Sequence, residues 1–176
     1  MSAISDNPAD KRKTILSVRL DFENASAQKA PAKTAFKQWI SAALKTRRDK
    51  AELSLRIVDA DEMRELNNRY RGANYATNVL SFPADLPPEL KLPHLGDIVI
   101  CAAVVEREAE EQHKASTAHW AHMVVHGTLH LLGYDHIDDA DAEIMEALEI
   151  QILSELNFAN PYIENTDAED DVVNHV

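Results

Sequence analysis

Four short stretches with strand-like patterning, interleaved with helical periods and followed by three helical periods in succession, predict an α+β fold. The expected architecture is a small mixed β-sheet of about four strands with five or so helices on one side of it. No internal repeat and no linker divides the 176 residues, so residues 1–163 are expected to form a single domain.

The elements follow in chain order. Residues 1–13 are polar and carry no expected element. Thr14 to Phe22 alternates, with Leu16, Val18, Leu20 and Phe22 on one face, as a half-buried strand does. From Thr34 to Lys45, Phe36, Trp39, Ile40, Ala43 and Leu44 recur at helical spacing, with Pro31 just ahead. Glu52 to Val58 alternates again, with Leu53, Leu55 and Ile57 inward. Asp59 or Asp61 can cap a short helix that turns Met63, Leu66 and Tyr70 inward and ends at Gly72. Asn78–Phe82 and Leu95–Ile100 read as two more strands, with four prolines punctuating the connection. Ala102–Glu111, Thr117–Leu132 and Asp138–Leu156 then follow as helices. The second is strongly apolar, carries four His and is stopped by Gly133. The third is expected to bury Ile144, Leu148 and Ile152. Residues 164–176, with five acids and no Lys or Arg, read as a solvated, disordered acidic tail.

One Cys excludes a disulfide framework, no apolar run approaches the ~20 residues of a membrane span, and the first residues lack a signal-peptide core. A cytoplasmic protein with no membrane partner is expected. The net charge is −12, unevenly spread: residues 1–80 sum to +5 and residues 81–176 to −17. A bulk charge of that sign argues against generic nucleic-acid binding. The basic half keeps a polyanion in play, because Lys33, Lys37, Lys45, Arg47, Arg48 and Lys50 cluster around one expected helix. A basic approach to the site and an acidic back are therefore expected, with the acids of Glu106–Glu111 and Asp138–Glu149 turned away from it.

Six of the eight His lie between residues 113 and 136. The core is His126-Gly-Thr-Leu-His130-Leu-Leu-Gly133-Tyr-Asp-His136. His126 and His130 stand one turn apart on one helix face, so neutral imidazoles there can reach one ion at ~2.0–2.1 Å. Gly133 lets the chain turn sharply, and His136 can swing back as a third ligand. Three nitrogen ligands leave a fourth position open, as in catalytic zinc sites. The expected cofactor is one Zn2+ per chain. A buried helix that merely holds several His is the competing reading. His122 lies on the same stripe and is read as a packed polar residue, a ligand's hydrogen-bond donor or an alternative ligand. His119 and His113 are read as surface or core-edge residues. Asp135 either accepts a ring N–H and orients a ligand or is a turn residue. The H-E-x-x-H motif of metallopeptidases has its general base directly after the first His, and here that position is Gly127.

HGTLHLLGYDH, preceded by HWAHMVV, resembles the metal motif of the YbeY family of metal-dependent endoribonucleases and rRNA maturation factors. Tyr70-Arg71-Gly72 followed by TNVLSFP (Thr77–Pro83), and LGDIVIC (Leu95–Cys101), extend the resemblance to about Ser54–Tyr162. It implies a single-strand-specific endoribonuclease acting in ribosomal RNA maturation at the small-subunit 3′ end and in ribosome quality control. It implies zinc on His126, His130 and His136, and a catalytic arginine near the metal, which falls at Arg71. Partners would be single-stranded or ribosomal RNA, the small ribosomal subunit and an assembly GTPase.

Phosphodiester cleavage builds negative charge on phosphoryl oxygens, which a metal held by three neutral His can polarise and a guanidinium can grip. His126 and Arg71 are the expected catalytic pair; Arg71, Thr77, Asn78 and Ser81 are the expected substrate contacts. Two other readings compete: a zinc hydrolase of another substrate, and a ribosome-assembly factor whose zinc is largely structural. A monomer is expected.

Overall fold

The computed structural model describes residues 16–90 and 92–163; the expected acidic tail lies outside them. Strand β1 (Ser17–Asn24) leads into α1 (Lys33–Leu44), β2 (Lys50–Val58) and α2 (Ala60–Arg71). Strand β3 (Val79–Pro83), a single 3-10 turn at Pro88–Leu90 and β4 (His94–Cys101) follow. Helices α3 (Ala102–Glu111), α4 (Ser116–Leu131) and α5 (Asp139–Glu155) complete the order. The fold is α+β, with a four-stranded mixed sheet and five α-helices among the described residues.

The sheet order is β1-β2-β4-β3. β1 runs parallel to β2 and β2 to β4, while β3 pairs antiparallel with β4, Ser81 opposite Ile98. Parallel pairs need crossovers: α1 supplies the one between β1 and β2, and the chain from α2 through β3 supplies the next. β3 therefore ends as an edge strand.

The alternation read from the sequence decides the two faces. Val18, Leu20, Leu53, Leu55, Ile57, Ile98 and Ile100 join the main core with Phe36, Ile40, Leu44, Trp120, Val124 and Leu129 from α1 and α4. Val58, Leu80, Val99 and Cys101 form a second cluster with Met63 and Leu66 of α2. The sequence predicts the helices on one side of the sheet, and the structure corrects this: α2 covers part of the opposite face. The reason is visible at the ends of the strands, where adjacent apolar pairs such as Ile57–Val58 and Ile98–Val99 put one side chain on each face.

Two helix faces differ from expectation. On α2, Met63 is buried but Tyr70 is exposed, its ring packed edge-on to Phe82 at 5.2 Å. On α5, Ile144 is exposed and the inner stripe is Met145, Glu149, Ile152 and Leu153. Asp59 does sit at the N-cap of α2, yet its carboxylate accepts from Ser26 Oγ (2.6 Å) and the Ala27 amide rather than from the helix. Asp138 is a working cap for α5, accepting from the Asp141 amide at 2.8 Å.

Helix α4 lies close to the sheet at Gly127. An added Cβ there would stand 3.1 Å from Ser81 Oγ, 3.3 Å from Val79 and 3.4 Å from Ile98. The Ser81 hydroxyl donates to the Gly127 carbonyl at 3.0 Å. Position 127 therefore faces strand, and the acid that a peptidase motif would carry there has no room.

Candidate metal centre

The end of α4 and the turn after it bring His126, His130 and His136 together. One ring nitrogen from each lies within 4.8 Å of the others, and His126 Nε2 faces His130 Nε2 at 3.1 Å. Gly133, at φ +101, provides the sharp turn. No Cβ sits readily at that angle, so the glycine is what lets His136 return against the helix end. Its ring centroid lies 5.6 Å from that of His126 and 5.1 Å from that of His130. His126 and His130 are half-buried and His136 is exposed, so the cluster opens to solvent on one side.

A cleft of about 460 Å³ adjoins the cluster, lined by Arg71, Ser81 and Pro83 from around β3 and by His130, Gly133 and Asp135 from the end of α4 and the turn after it. Arg71 is tethered rather than free: its guanidinium donates to the Ser81 carbonyl at 3.1 Å and lies 5.5 Å from the centre of the Phe82 ring. The other sequence-level candidates separate. Ser81 lines the cleft, with its hydroxyl engaged on Gly127. Asn78 donates its amide to the Glu108 carboxylate (3.1 and 3.3 Å), and its carbonyl caps the Val79 amide. Thr77 is half-buried just before β3. Asp135 lines the cleft and accepts from the His136 amide at 2.8 Å, which is turn geometry.

The acids of α3 and α5 are not all turned away. Glu149 is 1% exposed and accepts from His122, His126 and Tyr162. Burial pushes its carboxyl up, but the His122 and His126 hydrogen bonds outweigh that and hold it down at about 2. Glu108 on α3 meets His119 Nε2 at 3.0 Å, so His119 is a buried partner of a carboxylate and not a surface residue. Burial pushes His130 and His122 down, which disfavours their charged forms and keeps these rings neutral. Sequence reasoning missed Glu149 and Tyr162. The available signal was the phase of α5: an acid spaced one turn from both Met145 and Leu153 belongs to the buried stripe.

The cluster fits a metal ion. Glu149 accepts from His126 Nδ1–H, so the His126 nitrogen facing His130 is a bare lone pair, and with a ring nitrogen of His136 also within 4.8 Å the three imidazoles can converge on one cation. Three imidazoles backed by a carboxylate are a donor set suited to zinc.

Fold and site together define a small α+β protein with a candidate three-histidine metal centre at the rim of an open, arginine-lined cleft. The family model described as Endoribonuclease YbeY matches residues 20–157, and the chain belongs to the YbeY family. It is 59% identical to Endoribonuclease YbeY of Cellvibrio japonicus over 148 residues, 83% of this chain and 84% of that protein. It is 58% identical to the Pseudomonas fluorescens protein of the same name over 149 residues, 84% and 98% of the two chains. A Thermotoga maritima protein solved in solution shares the fold, with a TM-score of 0.52 at 23% identity, covering 84% of this chain and 99% of that one.

Proposed function

We propose that this chain is a zinc-dependent endoribonuclease that cuts single-stranded RNA in the cytoplasm. Its proposed role is ribosomal RNA maturation, at the small-subunit 3′ end, and ribosome quality control. The observation that carries the reading is that Arg71 and His130 line one cleft, in a chain whose relatives are named endoribonucleases.

His126, His130 and His136 would hold the ion, which when bound supplies Lewis-acid polarisation of a phosphoryl oxygen. Arg71 grips a second oxygen with a guanidinium already oriented by Ser81 and Phe82, so little rotamer entropy is lost on binding. Ser81 and Thr77 extend the substrate surface along β3. Asn78 joins them only by releasing Glu108. Gly127 means that no acid directly follows His126 in the chain to act as the general base of the metallopeptidase motif. The small ribosomal subunit and an assembly GTPase are the proposed delivery partners, and the protein is proposed to act as a monomer.

The test is cleavage of a defined single-stranded RNA by rigorously purified protein, beside Arg71→Ala and His126→Ala. Both variants should lose at least ~100-fold in rate, by analogy with removal of one transition-state donor. Parent-like cutting by Arg71→Ala removes that residue from the mechanism. Parent protein that binds small subunits and never cuts RNA favours the assembly reading. A 2′-deoxy substitution at the cleavage site separates attack by water, which survives it, from attack by the 2′-hydroxyl, which does not.

A further inference from the structure

Burying a carboxylate costs several kcal/mol unless its oxygens are well satisfied. Glu149 meets that cost with three converging donors. The Tyr162 hydroxyl donates at 2.7 Å and His122 Nε2 at 3.0 Å, both to one oxygen, while His126 Nδ1 lies 3.3 and 3.4 Å from the two oxygens. The histidines stand one turn apart on α4, and Tyr162 comes from the segment beyond α5.

An ionised carboxylate only accepts, so each ring nitrogen facing it carries the hydrogen. His126 is thereby the Nδ1–H tautomer, with Nε2 bare and aimed at His130. His122 is the opposite tautomer: its Nε2–H is spent on Glu149, and its Nδ1 is buried with no partner. One carboxylate thus presents one histidine to the cluster and withholds its neighbour, although both occupy the same helix stripe. An ion held there would have the three histidines His126, His130 and His136 as protein ligands rather than four, which would leave a position for substrate.

We propose that Glu149 is a positioning residue for the metal centre, locked by Tyr162, and that this pair sets metal affinity by fixing the tautomer and ring angle of His126. The proposal rests on the metal reading above and deepens it. Tyr162 is 44% exposed, so Tyr162→Phe removes one hydroxyl without disturbing the core. Glu149→Gln replaces an acceptor-only group with one whose amide hydrogens oppose the donors it faces.

The experiment strips the purified full-length protein and both variants of metal, then measures zinc affinity by competition with a chromophoric chelator. Melting of each metal-free protein is the control for folding. Glu149→Gln should bind zinc ~10–100-fold more weakly, the usual effect of losing such a partner, and Tyr162→Phe should fall between it and the parent. Metal-free Tyr162→Phe should stay folded and melt below the parent, because the buried carboxylate loses one of its three donors. If the parent binds zinc and both variants match it within about twofold, the positioning role is wrong while the metal reading stands. If the parent takes up no zinc, the metal reading itself fails. Should Glu149→Gln not fold, Tyr162→Phe decides alone: parent-like affinity overturns the proposal and weakened affinity supports it.

Discussion

At the scale of single residues, the three ligand candidates are unequal. His126 is backed by Glu149 and half-buried, whereas His136 is exposed and held only by the turn. His126→Ala and His130→Ala are therefore expected to abolish zinc retention through desalting. His136→Ala is expected to weaken it while leaving a measurable two-histidine site. Elemental analysis of the purified proteins checks this, and equal retention in all three would remove the cluster as the zinc site. The histidines themselves were legible in the sequence because helix periodicity and a glycine turn are local facts. Glu149 was legible only as an acid in phase with the buried Met145 and Leu153, unlike the exposed Glu146 and Glu143; which donors it meets was not local information.

At the scale of elements, the site depends on how closely β3 and β4 approach each other and α4. Gly96, at φ +137, sits opposite Pro83 in the ladder, and a Cβ there would fall 2.2 Å from the Phe82 carbonyl. Gly96→Ala is expected to cost about 3 kcal/mol or more, combining a disfavoured backbone angle with a backbone clash. Because β3 carries the Ser81 carbonyl that tethers Arg71, cleavage should fall further than the folded fraction does. Denaturant melts run beside a rate assay check it; an unchanged midpoint would contradict the predicted clash. The sequence placed all four strands and all five helices within a few residues of their observed bounds, because each has a clean period. It misjudged the inner faces of α2 and α5, where the outward stripe also contains large apolar side chains, Tyr70 and Ile144.

At the scale of the whole molecule, charge and protons matter. The basic cluster read as an approach to the site runs from Lys33 and Lys37 on α1 to Lys45, Arg47, Arg48 and Lys50 between its end and the start of β2, with Lys45 paired to Glu155 at 2.9 Å. The cleft lies along β3, at the other edge of the sheet, and among its lining residues the only Lys or Arg is Arg71. Neutralising Lys45, Arg47 and Arg48 together is therefore expected to change cleavage of a short single-stranded RNA by less than about twofold. Affinity for that RNA should fall with salt on a shallow slope, since about one or two phosphates are engaged. A steep slope, or loss of cleavage in the triple variant, would restore the basic approach.

Stability of the metal-free protein should fall in two stages as pH drops. His122 and His130 are held below the ordinary value near 6.5, so the unfolded chain takes up protons first and stability declines below that pH. Glu149 is held at about 2 against an ordinary 4.5, so its contribution is complete above 4.5 and lost as pH falls from there through 2. Denaturant midpoints from pH 7.5 to 3 test both stages, and Glu149→Gln should flatten the lower one.

By itself the sequence determined the strands and helices, the three histidines and the turn that gathers them, because periods, turn chemistry and close spacings act over a few residues; Arg71 was singled out by the family resemblance alone. Only the tertiary structure decided that β3 is an edge strand and that Arg71 and His130 line one cleft, that Asn78 is tied to Glu108, and that Glu149 and Tyr162 stand behind His126. Those contacts join residues far apart in the chain. Such pairings are chosen by which faces bury together and which buried charges find donors, and no local pattern records that choice.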